Sequence, residues 1–213
     1  MLAYLDRMIA DGYGRNMTVG AFSTGIVGGG AGTIFDQNQP EFAVGVPAGY
    51  QIRPIHVEIV VQGGLATTDS DETEALLAVD SLGLWRGDGT LTIEQASNLN
   101  GRFAKGSVCR LGSAFTADMT TVTLGGAEAG AEPVLDMELA RVAEDADLQG
   151  TAANMVYRQI RLVYEPNYPP FVGPNATLLG YWGGTRATIG GFATVRWVEA
   201  PIDIMMKYMK GEL

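Results

Sequence analysis

Residues able to do chemistry are few in this sequence, and their spacing alone does not define a site. The chain has 213 residues with one histidine, His56, and one cysteine, Cys109. One histidine excludes His₂ and His₃ metal sites, and one cysteine excludes an intramolecular disulfide and a multi-thiolate zinc site. A Ser-His-Asp triad stays open because it is defined in space, although no G-x-S-x-G elbow accompanies it. We interpret His56 as a surface or interface residue and Cys109 as a small buried hydrophobe.

An acidic cluster is the one candidate for a metal site. It consists of Asp69, Asp71, Glu72 and Glu74, and Ca²⁺ binds several carboxylate oxygens from loops of this kind. The EF-hand spacing is broken, because Glu74 stands where the turn-making Gly belongs and Asp80 where the closing Glu belongs. A solvated turn between two strands is therefore the favoured interpretation, with the cluster kept as the calcium candidate.

Glycine-rich and carboxylate patterns provide no catalytic or cofactor site. The run Gly28–Gly32 does not continue as G-x-G-x-x-G, since Thr33 and Phe35 occupy the last position of the two possible registers. No Lys-Ser/Thr pair follows it for a P-loop, so we interpret the run as a loop. Glycoside hydrolysis needs two carboxylates across a cleft, but 24 acidic residues single out no pair. We predict no catalytic residue and no cofactor.

Aromatic and apolar residues offer candidates for binding. An exposed sugar-binding platform could use rings of Trp85, Trp182, Trp197, Tyr164, Tyr168 and Tyr181. The segment 164–171 holds three prolines, which exclude a central strand, and its rigid aromatics suit either an interface or a structural corner. The C-terminal segment is apolar and must pack on its own core or on a neighbour. The interface candidates are Tyr164, Tyr168, Phe171, Ile204, Met205, Met206 and Met209.

We expect the C-terminal segment to dock at a subunit contact. Deleting residues 203–213 should then reduce assembly and leave the monomer folded. At the other end, Leu2, Leu5, Met8 and Ile9 recur at three- and four-residue steps and predict a short helix that ends near Gly12. That helix packs on its own domain or acts as an arm on a neighbouring subunit, and the first alternative is favoured.

Strand patterns begin at about residue 17. Segments rich in Val, Ile, Thr and aromatics alternate with Gly, Pro, Asn and Asp clusters. The clearest strand is Ile55–Gln62, in which Ile55, Val57, Ile59 and Val61 share one face. Further strands are predicted at 18–24, 41–46, 74–84, 107–116, 134–142, 156–164, 176–182 and 191–199, with helical turns at 92–98 and 145–154.

These elements predict an all-β protein. About eight or nine strands are consistent with a β-sandwich or a barrel, preceded by a short N-terminal helical segment. No segment has the length and pattern of a βαβ unit, which argues against a doubly wound nucleotide-binding fold. The expected organisation is an N-terminal segment (1–16), one sandwich domain (17–200) and a C-terminal apolar tail (201–213).

The amino-acid composition argues against some classes of binding partner. With 14 basic and 24 acidic residues the net charge is −10, so phosphate would repel the chain and direct nucleic-acid binding is disfavoured. No window is apolar and long enough for a membrane span. Residues 1–16 lack the basic and apolar regions of a signal peptide. The single cysteine agrees with synthesis in a reducing cytoplasm.

The strand pattern from Thr18 to Glu199 resembles the single jelly-roll virion proteins of viruses and phages. The resemblance is clearest in Val46–Tyr50 leading to Ile55–Gln62, and in Val156–Tyr164 and Gly191–Glu199. It implies an all-β fold, a jelly-roll-like antiparallel β-sandwich of about eight strands with a short N-terminal helical segment. It also implies a viral structural protein without catalytic activity that is made in the host cytoplasm and assembles in the virion as a capsid or shell component. Its partners would be copies of itself and other virion proteins.

One departure from that group concerns residues 1–16, which hold two Arg and two Asp instead of a basic arm. This favours a shell over a separate inner layer, or a decoration protein on the outside. Two other classes remain open. A lectin-like carbohydrate-binding sandwich would show an exposed aromatic platform, and a sandwich-fold hydrolase would show two carboxylates facing each other in a cleft.

Overall fold

The computed structural model describes residues 3–21, 26–27, 35–62, 72–85, 87–104, 106–123, 129–145, 159–184 and 190–213. In chain order these residues form α1 (Ala3–Ala10), β1 (Gly14–Val19), β2 (Ile26–Val27), β3 (Phe42–Val46), β4 (Tyr50–Gln62), β5 (Glu72–Asp80), β6 (Gly83–Trp85), β7 (Thr92–Ile93), β8 (Ser97–Asn98), β9 (Arg110–Ser113), β10 (Thr121–Thr123), β11 (Ala129–Ala131), β12 (Met137–Asp145), β13 (Gln159–Tyr164), β14 (Ala176–Gly184), β15 (Gly190–Pro201) and α2 (Ile202–Lys210).

Two six-stranded antiparallel sheets form the body of the molecule. The first has the order β13-β4-β15-β1-β8, with β2 paired to the start of β15. The second has the order β12-β5-β14-β3-β9-β7. A smaller third sheet has the order β11-β10-β6. The sheet content confirms the predicted all-β sandwich.

The eight principal strands pair in a nested order. Taken along the chain they are β1, β3, β4, β5, β12, β13, β14 and β15. The first pairs with the last, the second with the seventh, the third with the sixth and the fourth with the fifth. A long hairpin rolled into two sheets has this nested pairing, which is the pairing of a jelly roll. Four shorter strands, β2, β7, β8 and β9, bring the two large sheets to twelve strands, more than the eight expected.

The main core lies between the two large sheets. Val57, Ile59 and Val61 of β4 meet Val195 and Trp197 of β15 in one fully buried cluster. These are the inward positions that the two-residue period predicts. The prediction is wrong at Ile55, because a bulge shifts the register between Arg196 and Trp197. Ile55 consequently belongs to another cluster, on the opposite face of the first sheet.

The second sheet is buried on both faces. Every residue of β14 is buried. Leu178 and Trp182 face the main core, whereas Leu179 and Tyr181 pack with Trp85 in a second cluster on the other side. The backbone N–H of Trp85 donates to Thr177 Oγ1 at 2.9 Å, which ties β6 to β14. The third sheet and its neighbouring loops therefore cover the second sheet.

The two helices form a cap over one part of the first sheet's outer face. Leu5 and Met8 of α1 and Met205 and Tyr208 of α2 pack in a third cluster, together with Ile55, Val198 and Ala200 of the sheet. We call α1 and α2 the helical cap. The N-terminal helix thus packs on its own domain, which was the favoured alternative.

Local signals explain where these helices end. Gly12 follows α1 with φ +91°, and a Cβ there would lie 2.6 Å from the ring of Phe103. Gly211 follows α2 with φ +73°, and its N–H bonds back to the last turn. Asp203 in the first turn and Lys207 and Lys210 in the last turn suit the helix dipole.

Several predicted boundaries are wrong. The segment 92–98 holds β7 and β8 instead of a helical turn, and the expected C-terminal tail is mostly α2. The predicted strand 74–84 is divided into β5 and β6, and β1 begins at Gly14. Most of the helical turn expected at 145–154 lies outside the described residues. Neither described helix is long and apolar enough to cross a membrane.

Candidate functional site

Polar and charged side chains occupy the outer face of the first sheet beyond the helical cap. His56 lies there beside a carboxylate, with Nδ1 2.6 Å from Glu165 Oε1. Its Nε2 is 4.0 Å from Glu58 Oε2. The second carboxylate is itself paired, since Arg161 Nε donates to Glu58 Oε1 at 2.5 Å. Both polar contacts of the imidazole within the described chain are to carboxylates, whereas a Ser-His-Asp triad needs a hydroxyl at one ring nitrogen.

A groove of about 480 Å³ opens beside His56. It lies between α1, the loop that follows β13, and the first sheet. Ile9, Ile55, Leu99 and two prolines provide apolar walls, and His56, Glu165, Asn167 and Arg196 provide polar groups. Arg196 stands directly across the ladder from His56, and its Nε donates to Asn16 Oδ1 at 3.3 Å.

The proline-rich loop after β13 is held by a buried arginine. Arg53 is 5% exposed, and its Nε donates to the Pro169 carbonyl oxygen at 2.9 Å. The guanidinium carbon lies 4.3 Å from the centroid of the Phe171 ring and 5.5 Å from that of Tyr4 in α1. Burial lowers the pKa of Arg53. This contact joins the loop to the helical cap.

Exposed apolar side chains lie on both of these joined elements. Tyr168 is 78% exposed and Phe171 39% exposed on the loop, and Met206 and Met209 are each 41% exposed on α2. We call these four residues the cap surface. A three-residue spacing places Met206 and Met209 on one side of the helix.

The other interface candidates lie deeper. Met205 is fully buried in the third cluster, so its side chain cannot contact a partner. Ile204 is partly buried against the same cluster, and Tyr164 packs on the main core. Burial raises the pKa of Tyr164 to about 12, although Arg53 opposes the shift. Because Met205 and Tyr208 fill the molecule's own cap, deleting residues 203–213 would uncover its core, so that deletion does not test assembly cleanly.

The rings considered for a sugar-binding platform are mostly internal. Trp85, Trp182, Trp197 and Tyr181 are each 2% exposed or less. Burial and the nearby Glu41 raise the pKa of Tyr181, and its hydroxyl donates to the Gln37 carbonyl oxygen at 2.9 Å. Of the six candidates, only Tyr168 is largely exposed. The described surface therefore presents no platform built from these residues.

The acidic cluster is described only in part. Asp69 and Asp71 and the side chain of Glu72 lie outside the described residues. Glu74 is buried and forms an ion pair with Arg141, which also pairs with Glu138 at 2.8 Å. Hydrogen bonding to Glu138 raises the pKa of Arg141. Within the described ranges, no group of three His, Cys, Asp or Glu side chains could hold a metal ion.

Cys109 is buried beside Glu199, a residue that the sequence did not single out. Burial raises the pKa of the thiol well above its usual value, and the charge of Glu199 adds to the shift. Glu199 is 2% exposed and pairs with Arg15 Nε at 2.8 Å. It also accepts hydrogen bonds from Trp197 Nε1 at 3.0 Å and from the N–H of Val108 at 3.2 Å. These contacts give Glu199 a structural role, holding the loop before β9 against β15.

Sequence reasoning missed Arg53, Arg196 and Glu199. A weak signal existed for two of them, because Arg196 and Glu199 are charged residues inside a segment that is otherwise a clear strand. Arg53 gave no comparable signal, since its partner carbonyl at Pro169 lies 116 positions further along the chain. No family model matches this chain, and no curated protein is similar to it.

Proposed function

We propose that the chain is a structural subunit that assembles with copies of itself into a closed shell, as a capsid or decoration component of a virion. Jelly rolls are the architecture of viral capsid proteins, but also of lectins and cupins, so the fold alone does not decide between these functions. The placement in a virion rests on the resemblance of the strand pattern. The proposal that the chain assembles with copies of itself is supported by the exposed apolar residues of the cap surface.

The cap surface carries this proposal. Isolated exposed apolar residues are ordinary on any protein, whereas a contiguous patch of large ones is typical of an interaction site. We propose that the four residues of the cap surface together form such a site. Tyr168 and Phe171 lie on a loop that the Arg53 contact holds in place. A rigid loop loses little conformational entropy when it binds, and aromatics and Met are enriched at the centres of interfaces.

Three of the buried carboxylates of the described chain stabilise the fold. Glu199 holds a loop and Glu74 pairs with Arg141. Asp80 accepts hydrogen bonds from Thr121 Oγ1 at 3.0 Å and from the N–H of Val134 at 3.1 Å. These uses favour a structural protein over a sandwich-fold hydrolase.

Size-exclusion chromatography with light scattering, followed by negative-stain microscopy, tests the proposal directly. The expected result is a stable oligomer or closed particles that form as the protein concentration rises. A protein that stays monomeric throughout the accessible concentration range, at low and at high salt, would overturn the proposal.

Two serine substitutions locate the contact. Met206→Ser together with Met209→Ser should weaken assembly at least tenfold, because two apolar side chains leave the interface while Met205 and Tyr208 keep α2 packed. Ile93→Ser is the matched control, since Ile93 is 82% exposed in β7, outside the helical cap. Far-UV circular dichroism should show both variants folded. If the double variant and the control assemble equally well, α2 is not part of the interface.

A further inference from the structure

The groove beside His56 contains an arginine without a carboxylate partner. Arg15, Arg141 and Arg161 each form an ion pair with a glutamate. Arg196 forms none within the described residues, and its one hydrogen bond is the 3.3 Å contact with the neutral side chain of Asn16. An arginine without an ion-pair partner has N–H donors left to bind a planar anion.

The other polar groups of the groove leave that arginine available. Glu165 is the acidic residue of the lining, and its carboxylate is engaged by His56, whose Nδ1 lies 2.6 Å from Glu165 Oε1. Glu58, on the same sheet face, is engaged by Arg161. These two acidic groups are thus engaged, while the two terminal nitrogens of the Arg196 guanidinium have no hydrogen-bond partner among the described residues.

The remaining walls define what else a ligand must carry. Ile9, Leu99 and Pro166 provide apolar surface, and Asn167 and His56 provide hydrogen-bonding groups. A volume of about 480 Å³ lies within the range of small-molecule sites. One cation beside one paired carboxylate suits a ligand with a single negative charge better than a doubly charged phosphate, which Glu165 would repel.

We propose that this groove binds a small molecule with one carboxylate on an apolar or hydroxylated body. The carboxylate pairs with the Arg196 guanidinium in the two-bond geometry that arginine and carboxylate share. The body rests against Ile9, Leu99 and Pro166, and hydroxyl groups, where present, bond to Asn167. The proposal goes beyond shell assembly and does not depend on it.

Two sources of such a carboxylate are a uronic acid sugar and a branched aliphatic acid. Saturation-transfer-difference NMR at millimolar ligand tests both, each against its neutral counterpart: D-glucuronate against D-glucose, and isovalerate against isovaleramide. The method works on monomers and on large particles, so its outcome is independent of the assembly experiment. We expect transfer to at least one carboxylate and not to its neutral counterpart. The carboxylate that shows saturation transfer tells whether the groove accepts a sugar or a branched aliphatic body.

Substitutions locate the site. Arg196→Gln should weaken binding of the responding carboxylate at least tenfold, measured by isothermal titration calorimetry. Arg161→Gln is the matched control on the same sheet face, and it should leave the affinity unchanged because Arg161 is already paired with Glu58. Both arginines are exposed, so neither change removes core packing. The proposal is overturned by no transfer to either carboxylate, by equal transfer to a neutral counterpart, or by unchanged affinity in the Arg196 variant.

Discussion

Tyr208 is a buried phenol whose hydroxyl donates to a carboxylate in the turn that follows α1. Its ring meets that of Tyr13 edge-on at 5.8 Å, and its hydroxyl bonds to Asp11 Oδ2. Burial raises the pKa of Tyr208 to about 12, and the bond to Asp11 adds to the shift. The folded state therefore holds this proton to a higher pH than the unfolded chain does.

The sign of the pH effect follows from that order. A group whose folded-state pKa is raised contributes stability that is complete below the unfolded pKa, about 10, and is lost as pH rises towards 12. Tyr208→Phe removes the titration, so the stability advantage of the native protein over this variant should shrink between pH 9 and 12. Urea unfolding at several pH values measures it. A difference that stays constant over this range would contradict the assignment.

Single residues show which positions a sequence pattern can predict. Val195 and Trp197 were expected on the inward face of their strand, and both are fully buried. Ile55 has the same apolar character and the same spacing, but a bulge turns it to the other face. The two-residue period contains no information about a bulge, because an extra residue in one strand depends on its partner strand.

Among the elements, the proline-rich loop depends on one arginine. Arg53→Met keeps a side chain of similar length between Tyr4 and Phe171, but it leaves the buried Pro169 carbonyl oxygen without its donor. We expect a loss of about 1.5–3 kcal/mol in the free energy of unfolding, typical of a hydrogen bond from a charged group. Hydrogen exchange should also become faster in residues 165–171.

The control for this change is Arg161→Met. Arg161 is an exposed partner of Glu58, and exposed ion pairs contribute at most about 1 kcal/mol. Denaturant unfolding of both variants, under conditions in which the protein is monomeric, gives the comparison. A loss at Arg53 no larger than the loss at Arg161 would show that the contact does not fix the loop.

The elements differ in how readily they are predicted. Long strands such as β4 and β15 were identified because many residues repeat the same alternation. The segment 92–98 was taken for a helical turn, yet it holds two-residue strands that join different sheets. Strands this short have no period of their own, and only the partner strands define them. Tyr168, Phe171, Met206 and Met209 were named as interface candidates, and all four are exposed. The burial of Met205 could not be predicted in this way, because its cluster includes residues of α1 and of the first sheet.

At the scale of the whole molecule, the three clusters share strands and should unfold together. Trp85 belongs to the second cluster, whereas Trp182 and Trp197 belong to the main core. Thr177 Oγ1 of β14 donates to the Gly83 carbonyl oxygen at 2.8 Å and accepts from the N–H of Trp85, so β6 is bonded to the second large sheet.

We predict one cooperative unfolding transition. Urea curves from tryptophan fluorescence and from far-UV circular dichroism should have the same midpoint, and Trp85→Phe should lower the midpoints of both signals equally. The experiment needs one fixed protein concentration, since assembly stabilises the folded state. A fluorescence change that comes at lower urea in the native protein, and is missing in Trp85→Phe, would show that the third sheet unfolds separately.

The global topology was expected from a general strand count, and not from pair-by-pair reasoning. Local alternation predicts that a strand exists and which face is apolar. It does not predict that β1 pairs with β15 or that β3 pairs with β14, because strand pairing depends on packing between residues that are far apart in the sequence. The groove beside His56 has the same origin, since α1, the sheet and the loop after β13 come from distant parts of the chain.

The central place of β15 has a consequence for synthesis. It lies between β4 and β1 in the first sheet, and it is the last of the described strands in chain order, so it is synthesised after both of them. At a synthesis rate of about 5–20 residues per second, β15 is synthesised on the order of ten to forty seconds after β1. During that interval the facing edges of β1 and β4 are open to other nascent chains. Pairing between nascent chains at these edges should therefore increase when the protein is synthesised at a high rate.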